Sequence, residues 1–208
     1  MAGTGPGQTG GRVVRTADGI LLHSHPELRI ADSVTGEYRF DDIRPDDVVV
    51  DIGAHIGGFC IRAARFSCRV TAVEPVTVRE LRSNIALNRA KVAVIEGALG
   101  DGKPGPITWG RESRVCRTFR LRDIADVAGG CDFLKCDCEG GEWSIDPADL
   151  SGVRRIEMEL HTPPISGLVN PRLLEYIGAR YRFCVDRKAV HAAMGVLGVL
   201  HAERREGL

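Results

Sequence analysis

The segment DDVVVDIGAHIGGF at positions 46–59 decides how this chain folds. Its three successive valines are β-branched and stiff at χ1, which predicts a strand running into Asp51. Gly53 then lets the backbone turn sharply, Gly57 lets a helix begin close to whatever lies above it, and residues 59–66 suit that helix. Strand, glycine turn and helix together form the repeating unit of a parallel α/β sheet.

Outward from this unit the pattern recurs. Residues 69–73 read as a strand, 78–89 as a helix and 91–96 as a strand; 131–136 and 153–160 are further strands, 171–178 is a short helix, 180–185 a strand, and 190–203 supplies one more. Such alternation predicts a mostly parallel sheet covered by helices, a Rossmann-like doubly wound α/β fold. Upstream, short apolar stretches at 12–15, 19–23 and 28–31 alternate with turn-formers and suggest a small β-hairpin or irregular lead-in. Residues 1–11, rich in Gly, Thr and Gln, are expected to be disordered. The chain thus reads as one domain over 12–208, with a lead-in at 12–45 and the core at 46–208.

Composition bounds the function. The 208 residues suit a single domain, and 43% apolar residues plus 25 glycines, about 55% in all, exclude a disordered chain. Twenty-eight basic residues balance 28 acidic ones, so no whole-molecule field draws the protein to nucleic acid or anionic lipid. The longest apolar run, nine residues at 192–200, is interrupted by two glycines and is too short to span a bilayer. The N-terminus has neither a basic start nor an apolar core, so no secretory signal is expected and a cytoplasmic location follows. Seven irregularly spaced cysteines read as free thiols, and Cys131, Cys136 and Cys138 lack the partners that would complete a zinc site. The sequence leaves homo-oligomerisation open.

In open α/β sheets ligands sit beyond the carboxyl ends of the strands. After the first core strand comes the turn carrying Asp51, Gly53, His55 and Gly57; after the second comes Glu74, 21 residues past Gly53. That separation suits a carboxylate accepting hydrogen bonds from both ribose hydroxyls of an adenosine. The dinucleotide fingerprint needs glycine where His55 stands, and the imidazole would crowd a pyrophosphate. An adenosine ligand without a pyrophosphate fits better, and S-adenosylmethionine (SAM) is one.

The strings VVVDIGAHIGGF, VTAVEP, Asn84 with Asn88, GALGD, FLKCDCEGGEW and IEMELH resemble the FkbM-type SAM-dependent methyltransferases. The likeness runs from about Asp46 to His161, and its most specific piece is Lys135, Asp137, Glu139, Gly140 and Glu142, similar to the family's K-x-D-x-E-G-x-E. The resemblance implies cofactor contacts from Asp51, Gly53, His55, Gly57 and Glu74, with Ala98 and Leu99 bordering the adenine. His55 stands where the family often has asparagine. No metal requirement is implied.

Methyl transfer from a sulfonium is an in-line displacement, governed mainly by alignment, and a hydroxyl acceptor must also lose a proton. Candidate catalytic groups are therefore Asp137 and Glu139 after the fourth core strand, and Glu159 and His161 at the end of the fifth. Alternation along IEMELH puts Glu157, Glu159 and His161 on one face; Glu157 is expected to pair with Arg154 or Arg155. Arg111, Arg114, Arg117, Arg120 and Arg122, with Trp109 and Phe119, read as a solvated loop and first helix turn, or as a grip on an anionic substrate. Trp143 and the stiff Pro163-Pro164 pair are candidate walls of an acceptor pocket. The leading expectation is O-methylation of a small-molecule or glycan-like hydroxyl. RNA methylation is the first rival, suggested by NIALN at 84–88 and the arginines, and a non-catalytic SAM or nucleotide sensor is the second.

Overall fold

A computed structural model describes residues 12–207 except 27, 110–111, 168 and 188–193, and leaves out the side chains of 30, 108, 109, 112 and 113. The expected disorder of 1–11 and the role of Arg111 therefore lie outside the described residues. The elements in order are β1 (Val13–Arg15), β2 (Leu21–His23), α1 (Leu28–Glu37), β3 (Val48–Ile52), α2 (Gly58–Ala63), β4 (Arg69–Glu74), α3 (Val78–Asn88), β5 (Val92–Glu96) and β6 (Ala98–Leu99). They continue with β7 (Gly105–Trp109), β8 (Glu112–Cys116), β9 (Thr118–Phe119), α4 (Leu121–Ala128), β10 (Phe133–Cys136), β11 (Arg155–His161), α5 (Pro171–Arg180), β12 (Tyr181–Arg187) and β13 (Val196–Arg204). Short 3-10 turns at Gly141–Ser144 and Pro147–Leu150 follow β10.

Seven strands form the central sheet in the order β12-β13-β11-β10-β3-β4-β5. Strands β11, β10, β3, β4 and β5 pair in parallel, whereas β13 is antiparallel to both of its neighbours. The mostly parallel, doubly wound sheet expected from the sequence is present. Its order reverses between β3 and β10, the kind of switch point where such sheets bind ligands.

Both faces are covered, so the central strands read as continuous apolar runs. Val49 and Phe133 pack with α1, α2 and α3 on one side; Val50, Ile52, Leu134, Ile156 and Met158 pack with α4, α5 and Trp143 on the other. Strand β11 departs from this pattern. Its Ile156, Met158 and Leu160 join the second core, while Arg155, Glu157, Glu159 and His161 alternate onto the first face.

Two regions correct the sequence reading. The hairpin appears as β1 and β2, but the third apolar stretch is the start of helix α1, because Ala31, Val34 and Tyr38 recur at helical spacing and are all buried. Arg114, expected in a loop, lies in strand β8 of the β7–β8 hairpin, whereas Arg120 and Arg122 sit at the first turn of α4 as expected.

Candidate functional site at the strand ends

Gly53 begins the site. With φ at 72° it occupies the left-handed region, and a Cβ there would lie 1.7 Å from the Asp137 carbonyl oxygen. Only glycine lets the β3 turn pass so close to the end of β10. Asp51, fully buried beneath the turn, accepts a hydrogen bond from Cys60 N–H and lies 3.1 Å from Lys135 Nζ. Lys135 also donates to the Gly53 carbonyl and stands 3.9 Å from Asp137 Oδ2. Burial raises the Asp51 pKa against the pull of this ammonium. Burial alone would lower the Lys135 pKa, but the Asp51 and Asp137 carboxylates reverse the direction and raise it. The ion pair is internal and ties β3 to β10. Gly57, also at positive φ, caps the start of α2.

Glu74 ends β4 with 5% of its surface exposed. One carboxylate oxygen accepts from Val76 and Thr77 N–H at 2.6 and 2.9 Å, and the other accepts from His55 N–H at 2.9 Å. Backbone amides thus aim a carboxylate whose second oxygen, holding one of these bonds, keeps acceptor capacity. The Glu74 carbonyl accepts from Gly97 N–H at the end of β5, which leads into the buried pair Ala98 and Leu99 in β6. His55, Glu74, Ala98 and Leu99 are therefore neighbours, as are Asp51, Gly53 and Asp137.

The four candidate catalytic residues converge beyond β10 and β11. His161 is wholly buried; its Nδ1 lies 3.0 Å from Glu142 Oε1, which also accepts from His161 N–H. Its Nε2 lies 3.3 Å from Glu159, 3.6 Å from Glu139 and 3.9 Å from Asp137 carboxylate oxygens. Burial works to lower the imidazole pKa, but the Glu142 and Glu159 carboxylates overcome it and push the value up to about 11. A ring so held is a cation at neutral pH and a poor proton acceptor. Burial raises the pKa of Glu139, opposed by the His161 charge. Burial also pushes Asp137 upward, yet Lys135, His161 and the Tyr38 hydroxyl outweigh it and hold that carboxyl below its ordinary value.

Sequence reasoning missed three members of this site. Glu142 stood in the quoted motif, yet nothing marked it as the partner of a histidine 19 residues away. Lys135 carried no sign of its pairing with Asp51. Tyr38, whose hydroxyl donates to Asp137 Oδ2 at 3.0 Å, comes from the lead-in, 99 residues distant. Other expectations resolve individually. Glu157 pairs with Arg155 at 2.9 Å, and also faces His201 Nδ1 at 2.6 Å. Trp143 is buried, its indole N–H donating to the His161 carbonyl. Among the arginines, Arg114 lies 3.9 Å from Glu96, Arg117 stacks over Phe119, and Arg120 donates to the Asp101 carbonyl.

Asn84 accepts from His23 N–H and donates to the Ile56 carbonyl, while Asn88 both accepts from and donates to Leu21. These side chains hold β2 against α3. Of two open surface grooves, of about 630 and 470 Å³, the first is lined by Ile20, Leu21 and Asn88, and the second by Asp186, His201 and Tyr38, the last also reaching Asp137. Neither is lined by Gly53, Glu74 or Leu99.

No family model matches the sequence, and no curated protein matches it either. Solved structures do share the fold. An rRNA methylase from Streptococcus thermophilus superposes with a TM-score of 0.54 at 9% identity, covering 88% of this chain and 98% of that one. M. jannaschii TYW2 in complex with AdoMet gives 0.53 at 18%, covering 96% and 89%. A precorrin-6y C5,15-methyltransferase from Geobacter metallireducens gives 0.51 at 16%, covering 91% and 93%. The chain has the fold of these methyltransferases.

Proposed function

We propose that this chain is a SAM-dependent methyltransferase of FkbM-like sequence, transferring a methyl group to a hydroxyl of a small-molecule or glycan-like acceptor. The observation that carries the reading is Glu74, a carboxylate aimed by three backbone amides at the end of β4, one strand from the Gly53 turn. A ribose hydroxyl would donate to its remaining acceptor site, Ala98 and Leu99 would border the adenine, and the Asp51–Lys135 pair would hold the turn beneath the methionine portion. The sulfonium would then face Asp137, where an anionic carboxylate favours a cation.

Bound SAM would supply an electrophilic methyl group: as the acceptor oxygen bonded to that carbon and the carbon–sulfur bond broke, the bond electrons would stay on sulfur to leave S-adenosylhomocysteine, and the hydroxyl proton would pass to a carboxylate of the cluster. Glu159 and Glu139 are the groups proposed to receive it, because the imidazolium of His161 is already protonated. His161 and Glu142 would act by positioning them.

RNA is the weaker acceptor. Asn84 and Asn88 are consumed within the fold, and the carboxylates of Asp137, Glu139 and Glu159 at the acceptor side would repel a phosphate backbone. The seven cysteines are unpaired, which supports a reducing, cytoplasmic setting, and among the described residues no helix is long and apolar enough to cross a membrane. Incubation with methyl-labelled SAM and fractionated metabolites or RNA tests the proposal. Label should enter a small-molecule fraction, and Glu159→Gln should cut turnover by about 10²-fold or more while S-adenosylhomocysteine still binds. Binding without any labelled product would leave a sensor in place of an enzyme; label in RNA would overturn the acceptor class.

A further inference from the structure

The sequence resemblance implied no metal, but the side chains beyond β10 and β11 meet the requirements of a cation site. Ligand atoms of Asp137, Glu139 and His161 all lie within 4.8 Å of one another. Carboxylates gather at protein surfaces without binding ions, so the histidine is the deciding feature. Its side chain has no exposed surface, and Nε2 makes no hydrogen bond although Asp137, Glu139 and Glu159 stand at 3.3–3.9 Å. A buried imidazole nitrogen pointed among carboxylates without a hydrogen bond is costly unless something else takes it.

The surroundings suit a ligand. Nδ1 faces Glu142, a fully buried carboxylate, which is the outer partner that metal-binding histidines commonly have: it fixes the ring with Nε2 aimed among the other carboxylates, where an ion would take the place of the Nε2 proton. The Tyr38 hydroxyl occupies Asp137 Oδ2, leaving Oδ1 on the histidine side. Donors 3.6 and 3.9 Å from Nε2 can share an ion about 2.1 Å from each, with angles of roughly 120–135° between them. The neighbouring cation, Lys135, lies closer to Asp51 than to Asp137 and leaves the cluster short of positive charge.

We infer that Asp137, Glu139 and His161 bind one divalent first-row transition ion, with Glu159 beside it as the carboxylate left to receive the acceptor's proton. One imidazole with carboxylate oxygens favours Mn²⁺, Fe²⁺, Co²⁺ or Zn²⁺ over Mg²⁺ or Ca²⁺. The site stands on its own geometry; only its use, polarising an acceptor hydroxyl as a Lewis acid, rests on the methyl-transfer reading.

The test uses the full chain, stripped by a chelator and titrated with Mn²⁺ under electron paramagnetic resonance, with Co²⁺ absorption as a second probe. One Mn²⁺ should bind per chain. Glu139→Gln, at a side chain one-third exposed, should weaken binding at least tenfold with an unchanged melting curve, and Glu142→Gln should weaken it about 10- to 100-fold. Absence of stoichiometric Mn²⁺ and Co²⁺ binding, or equal affinity in Glu139→Gln, overturns the site. S-adenosylhomocysteine affinity measured on the same samples separates the two readings: its absence with Mn²⁺ retained would count against the methyltransferase and not against the metal.

Discussion

At the scale of single residues, the site depends on contacts too close for any alternative side chain. A methyl group at Gly53 would overlap the Asp137 carbonyl and would also have to hold a positive φ. Gly53→Ala is expected to cost about 3–5 kcal/mol and to abolish S-adenosylhomocysteine binding, because the turn and the end of β10 must separate. Gly152→Ala, where nothing lies within 4 Å of the added carbon, should stay within about 0.5 kcal/mol of the parent. Denaturant melts of both variants check this; equal melts would mean that the turn tolerates a side chain. Gly53 and Glu74 were legible because a sharp turn and a strand-end acid leave fixed spacings in the chain. Glu142 and Tyr38 were not, since their roles arise only when a 3-10 turn and a lead-in helix close on His161 and Asp137.

At the scale of elements, the lead-in has a function in the architecture that composition alone concealed. Its hairpin is clamped by Asn84 and Asn88 from α3, and Asp18 in the hairpin turn pairs with Arg62 of α2 at 2.8 Å. Replacing Asn84 with Ala strands the His23 N–H and the Ile56 carbonyl, a loss of about 2–4 kcal/mol. Hydrogen exchange should then rise first in β1 and β2. Uniform exchange across the chain would show that the hairpin does not open as a separate unit. Helix α1 escaped the sequence reading because its apolar residues start like a strand, and only the recurrence at Ala31, Val34 and Tyr38 reveals the helical period. The β7–β8 hairpin escaped it because its strands are only five residues long and β7 opens on Gly105 and Pro106, which read as turn-formers.

At the scale of the whole molecule, the parallel strands β3, β4 and β10 were readable because they are buried on both faces and therefore written as short apolar runs between turns. The strand order was not readable, since pairing of β13 between β11 and β12 is set by tertiary packing rather than by local pattern. That order brings the ends of β3, β4, β10 and β11 to one edge of the sheet, and every proposed activity depends on a ligand occupying this edge. A crystal soaked with S-adenosylhomocysteine is the most direct check. The adenosine should lie between Glu74 and Leu99 with a ribose hydroxyl on the Glu74 carboxylate, and the homocysteine should run toward the Gly53 turn. Density in the groove of Ile20, Leu21 and Asn88 instead, or no bound ligand at millimolar concentration, would contradict the account.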